Sequence, residues 1–220
     1  MKLRAIVFAL LLFAASAVAQ EKKTYYGVPA DVFYLMPDFG QGTVYLRGQR
    51  PGRGRVNICA VDNTLRMLDD DGTELTVTQD EDILQVRIDS VMFLHFQKEY
   101  YRLYPLSGEM GVAVRREVRI LSDTKEGAYG TTSQTTSVQE YGVIRGEGMI
   151  HNLQSDKEYP YTSSDIFSIY REGQVCPLTR KALRKLFPAR KDEIDAFFKS
   201  GAELPETVPE ALDFLARWAD

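Results

Sequence analysis

The sequence predicts a mainly β protein, an antiparallel sandwich or partly closed barrel with a small C-terminal helical cap, α+β overall. Three observations predict it. Over residues 31–121 short apolar runs alternate with period two and are broken by turn residues at intervals of roughly 8 to 12, the rhythm of an antiparallel body. Twelve Tyr and eleven Phe accompany a single Trp, which suits pleated, half-buried strands. After Leu178 the apolar period becomes that of helices.

The chain opens with Lys2 and Arg4, an unbroken apolar run over residues 5–15, and small residues at Ala17 and Ala19. This is the pattern of a secretory signal peptide over residues 1–19, cut before Gln20. The run falls short of the roughly 20 residues a membrane span needs, and no second one follows. The mature chain is therefore expected to be secreted, to periplasm, cell surface or extracellular medium, with no membrane span. No cysteine follows the cut, so no lipid anchor is expected.

In the β body, residues 20–178, the first run is Val32-Phe33-Tyr34-Leu35-Met36, read as a strand that ends at Pro37. Residues 43–47 form a second strand after a Gly40-Gln41-Gly42 break, and residues 48–54, rich in Gly, Pro and Arg, form an exposed hairpin tip. Val56, Ile58 and Ala60 share a face of a third strand, and Leu65 and Met67 begin a fourth. The Asp69-Asp70-Asp71-Gly72 cluster fails as a calcium loop, because Met67 and Thr78 would occupy the terminal ligand places. It reads as a turn with Gly72 at positive φ. Leu84, Val86 and Ile88 face one way in the next strand, residues 91–96 follow, and residues 97–99 turn.

Residues 111–121 make the longest candidate strand, with Val112, Val114, Val118 and Ile120 on one face. Arg116 interrupts that face, which places it at a bulge or near an edge. Residues 122–138 turn polar and read as a surface loop or edge strand. Further strands are expected at residues 140–145, 149–153 and 166–170, with a loop over 156–164. In the cap, residues 179–220, Thr179 N-caps a first helix that stops at Pro188, and a second helix presents Ile194, Phe197 and Phe198. Thr207-Val208-Pro209-Glu210 is a capping box for a third, whose inward stripe is Val208, Leu212 and Leu215 with Ala211 and Trp218 beside it.

The segments Ala128-Tyr129-Gly130-Thr131-Thr132-Ser133-Gln134-Thr135-Thr136-Ser137, Leu183-Arg184-Lys185-Leu186-Phe187-Pro188 and Glu193-Ile194-Asp195-Ala196-Phe197-Phe198-Lys199 resemble a group of secreted β-rich proteins of Bacteroidetes-type bacteria. The resemblance implies a β-rich body with a short C-terminal helical segment, over nearly the whole mature chain. It implies no activity.

Charge excludes some function classes. The chain carries 27 Lys and Arg against 31 Asp and Glu, a net −4, and loss of the signal removes two cations and no acid. Such a chain has no electrostatic drive toward nucleic acid or anionic lipid. Catalytic fingerprints are lacking too. No Gly-x-Ser-x-Gly elbow, His-Glu-x-x-His pair, Walker loop or cysteine ligand set is present, so no metal and no cofactor is expected. His95 and His151 are the only histidines; His95, within an apolar strand, reads as a hydrogen-bonded half-core residue. Cys59 and Cys176 sit in apolar contexts where a thiol packs as a small hydrophobe, with a disulfide as the alternative in an oxidising compartment.

The most ligand-like cluster is Tyr100-Tyr101-Arg102-Leu103-Tyr104, since alternation puts Tyr100, Arg102 and Tyr104 on one strand face. Aromatic platforms beside a hydrogen-bonding cation suit a sugar or another flat polar ligand, whereas the plainer expectation is that helices or a neighbouring strand cover that face. Tyr159-Pro160-Tyr161 reads as a rigid aromatic turn. The expected function is a non-enzymatic extracytoplasmic binding or structural module, with a glycan or a cell-envelope protein as partner. A glycan- or lipid-binding module and a small secreted hydrolase are the alternatives.

Overall fold

The computed structural model describes residues 24–25, 28–78, 80–121 and 159–219. The signal segment, the polar stretch at 130–137, the strands expected at 140–145 and 149–153, and His151 lie outside the described residues. The chain is mainly antiparallel sheet with helices near its C-terminus, as the alternation predicts. β1 (Thr24–Tyr25) and β2 (Val28–Pro29) form a small ribbon, followed by a one-turn helix, α1 (Ala30–Phe33). The sheet then comprises β3 (Gly40–Leu46), β4 (Gly52–Cys59), β5 (Thr64–Leu68), β6 (Glu74–Thr76), β7 (Ile83–Ile88), β8 (Val91–Phe96), β9 (Glu99–Ser107), β10 (Met110–Ile120), β11 (Tyr161–Arg171) and β12 (Gln174–Pro177). The cap is α2 (Arg180–Leu186), a 3-10 turn (Pro188–Arg190), α3 (Lys191–Lys199) and α4 (Val208–Ala219).

All ten strands join one open sheet in the order β12-β11-β10-β9-β8-β7-β3-β4-β5-β6. Two meanders meet where β7 returns to lie beside β3, and every pairing is antiparallel. Val56, Ile58, Leu65, Val86, Ile88 and Phe93, from β4, β5, β7 and β8, are all but fully buried in one cluster. Leu35 and Met36 from the segment after α1, and Val77 after β6, pack against it with apolar side chains of the strands, so apolar area is removed from water here without a second sheet.

The helices cover the other part of the same face. Val112, Val114 and Ile169 pack with Leu183, Phe187, Ile194, Ala211, Phe214, Leu215 and Trp218. Thr179 caps α2, its hydroxyl accepting from the Ala182 amide at 3.3 Å. In α4 the Thr207 hydroxyl accepts from the Glu210 amide at 3.4 Å, while the Glu210 carboxylate reaches back to the Glu206 amide at 3.0 Å. That reach is one residue beyond a standard capping box. The buried stripe of α4 is Ala211, Phe214, Leu215 and Trp218, so Phe214 takes the place expected for Val208 and Leu212, which are half-buried.

Several local readings change. Residues 32–36 do not form a strand: Val32 and Phe33 lie in α1, and after it only Tyr34 bridges Cys59. Leu84 is 45% exposed and Ile83 takes the interior place, because the β3–β7 register shifts between Tyr45 and Leu46. The expected loop over 156–164 gives way to β11 from Tyr161, since polar Thr162, Ser163 and Ser164 pair with Arg119, Val118 and Glu117. Gly72 has φ 81°, and the Asp69 carboxylate accepts from the Asp71 and Thr73 amides at 3.0 and 2.7 Å, as a turn requires.

Candidate functional site

A cleft lies over β8–β11, between the self-buried core and the helix-covered core. Its walls are Leu35, Phe93, Arg102, Tyr104, Val114, Arg116 and Asp165, around a space of about 40 Å³. Three strands supply the polar side chains. Arg102 lies opposite Val114, Tyr104 opposite Val112, and Arg116 opposite Asp165. Alternation thus puts Arg102, Tyr104 and Arg116 on the same face, and the polar positions are the breaks in its apolar pattern.

The structure separates the tyrosine pair proposed from sequence. Tyr100 is 0% exposed and belongs to the self-buried core. Arg102 and Tyr104 are half-buried, with the guanidinium carbon 5.0 Å from the Tyr104 ring centroid, a cation–π contact. Among the described residues Arg102 makes no hydrogen bond or ion pair. Arg116 donates from Nε to Asp165 at 3.2 Å, with the two side chains 36% and 38% exposed. Among the described residues β10 has only β11 as neighbour at this point, so the Arg116 head reaches water near an edge, one of the two settings expected for it.

His95 stands next to this cleft, inside the core. Its Nδ1 is 3.0 Å from the Ile83 carbonyl, its Nε2 is 3.7 Å from Asp80, and its ring lies 4.6 Å from that of Tyr100. Among the described residues neither the His95 Nε2 nor the Tyr100 hydroxyl has a hydrogen-bond partner. Burial pushes the Tyr100 phenol far up, and the Asp80 charge adds to the shift. A phenol so hard to ionise is a poor nucleophile, and among the described residues no Ser or Thr hydroxyl or Cys thiol is hydrogen-bonded to His95.

Cys59 and Cys176 are free, the first buried and the second half-buried. Burial pushes the Cys59 thiol far up, with the Asp62 charge acting in the same direction, which leaves it inert. Nearby, the buried Arg66 pairs with Asp62, Thr64 and Thr76 and lies 3.7 Å from Glu74, which accepts from Tyr34 at 2.7 Å. These groups satisfy one another and hold the β4–β6 end of the sheet. Sequence alternation gave no sign of this network, because Arg66 looked like an ordinary outward residue.

A larger groove of about 400 Å³ runs between the β10–β11 end and the cap, lined in part by Met110, Arg171, Phe187, Arg190 and Trp218. Its cations are already engaged. Arg171 donates to the Leu186 carbonyl at 2.7 Å and stacks on Phe187, and Arg190 holds Glu193 through two contacts of 2.8 Å. Among the described residues no group of three His, Cys, Asp or Glu side chains is arranged to hold a metal, and no helix is long and apolar enough to cross a membrane. No family model, curated protein or solved structure matches the chain.

Proposed function

We propose that this chain is an extracytoplasmic, non-enzymatic binding module, and that its ligand is a glycan held at the Arg102–Tyr104 cleft. The observation that carries the reading is Arg102. A guanidinium has five N–H donors and a strong demand for acceptors, yet this one is drawn half out of water, laid on a tyrosine ring, and given no acceptor among the described residues. Folding gains little from that arrangement, whereas a ligand rich in oxygen acceptors gains a donor whose orientation is already set.

Secretion belongs to the same proposal and rests on the pattern of residues 1–19. Kinship with secreted β-rich proteins of Bacteroidetes-type bacteria is likewise proposed, on the segments at 128–137, 183–188 and 193–199. A glycan array probed with the wild type and with Tyr104→Ala tests the reading. Glycans retained by the wild type should lose most of their signal with the variant. Equal retention by the two proteins, or no retained glycan, would overturn it. Ester, peptide or glycoside hydrolysis abolished by His95→Ala would instead favour a hydrolase.

A further inference from the structure

Resting on the glycan reading, we propose that the group entering the cleft is an oxyanion, the carboxylate of an acidic saccharide, held between Arg102 and Arg116. Val114 lies opposite Arg102 at the end of the β9–β10 ladder, and Arg116 is the next residue on that face of β10, so the two cations come from neighbouring strands on one face. Both line the same cleft.

Against two guanidiniums the cleft sets one carboxylate, Asp165, which touches Arg116 through a single contact of 3.2 Å. The cleft is therefore net positive in a chain whose overall charge is −4. The space is small, about 40 Å³, and suits a charged head group. The ring stays at the rim beside the half-exposed Asp165. Arg102 offers a planar fork matched to a carboxylate, and Asp165 opposes the second charge that a phosphate monoester would bring. A sulfate ester shares the oxyanion chemistry but not the planar geometry.

Calorimetric titration of the full mature chain with a galacturonate oligosaccharide, with its neutral methyl ester and with a sulfated oligosaccharide of equal length separates these ligands. The carboxylate form should bind at least about tenfold more tightly than the methyl ester, and the preference should shrink as salt rises from about 50 to about 500 mM. Arg102→Gln should bring the two forms near parity, and Asp165→Asn should tighten carboxylate binding several-fold by removing the competing acid. Arg116→Gln should also weaken the preference, which keeps the test decisive if Arg102→Gln misfolds. Equal affinity for acid and ester overturns the oxyanion and leaves the glycan reading standing. Tighter binding of the sulfated sugar overturns the carboxylate. If the array retains no glycan at all, the glycan reading fails and the inference falls with it.

Discussion

Tyr100 and Tyr104 have the same side chain on the same face of one strand, and their environments divide them. Tyr100 fills the core with a hydroxyl that none of the described residues satisfies. Tyr100→Phe should therefore raise stability by about 1 kcal/mol, by removing the desolvation cost of an unpaired hydroxyl. Tyr100→Ala should lower it by about 3–5 kcal/mol through the cavity it opens. Denaturant unfolding of both variants checks the pair of signs, and a destabilised Tyr100→Phe would reveal a hidden hydrogen bond. The cysteines give a second test. A thiol reagent should label Cys176 in the native protein and both cysteines only after unfolding, as read by mass spectrometry; an intact disulfide would leave neither free. Alternation correctly assigned Tyr100, Arg102 and Tyr104 to one face. It carried no information about depth, because depth depends on which segments, remote in sequence, pack against each part of that face.

Among the elements, β9 and β10 matter most to the cleft, and Gly111 sets their approach. It occupies the register shift between the two strands, and a Cβ there would meet the Tyr104 carbonyl oxygen and stand 3.0 Å from the Pro105 Cα. Both obstacles are backbone, so Gly111→Ala should cost about 1–3 kcal/mol and should weaken ligand binding as well by displacing Tyr104. A variant that melts like the wild type would show that the close approach is dispensable. The caps were legible because they are local: Thr179 and Thr207 signal their helices within four residues. Thr207→Ala should cost about 1 kcal/mol, measured by thermal unfolding. Residues 32–36 were misread because an unbroken apolar run has no period from which to choose strand or helix. β11 was read short because Thr162, Ser163 and Ser164 owe their strand to β10, not to their own propensity.

Across the whole molecule, one face of one sheet carries two cores, the first covered in part by Leu35, Met36 and Val77 from outside the strands and the second by the helices, beside a third buried cluster of Val28, Phe33, Tyr34 and Cys59. Removing residues 179–220 should expose Val112, Val114 and Ile169 and cost several kcal/mol at roughly 25 cal/mol per Å² of apolar area. A truncated chain that melts unchanged and stays monomeric would make the helices an independent tail. Acid should remove one small stabilising contact from the cap, below the ordinary carboxylate range. The hydrogen bond from Arg180 holds the Asp195 carboxyl below its usual range, with the charges of Arg180, Arg184 and Lys191 acting the same way. The stabilisation is present above the ordinary carboxylate value and is lost as pH falls through the depressed one. Asp195→Asn should be slightly less stable than the wild type at neutral pH, and the difference should vanish in acid, as read by thermal unfolding at the two pH values. The central claim is that Arg102 is held ready for a ligand, and its side-chain Nε–Hε resonance in a ¹⁵N spectrum tests that most directly. On titration with an acidic oligosaccharide retained by the array, that resonance should shift and saturate together with the backbone amides of Tyr104 and Val114. A resonance that stays still while binding saturates elsewhere on the chain would contradict the account.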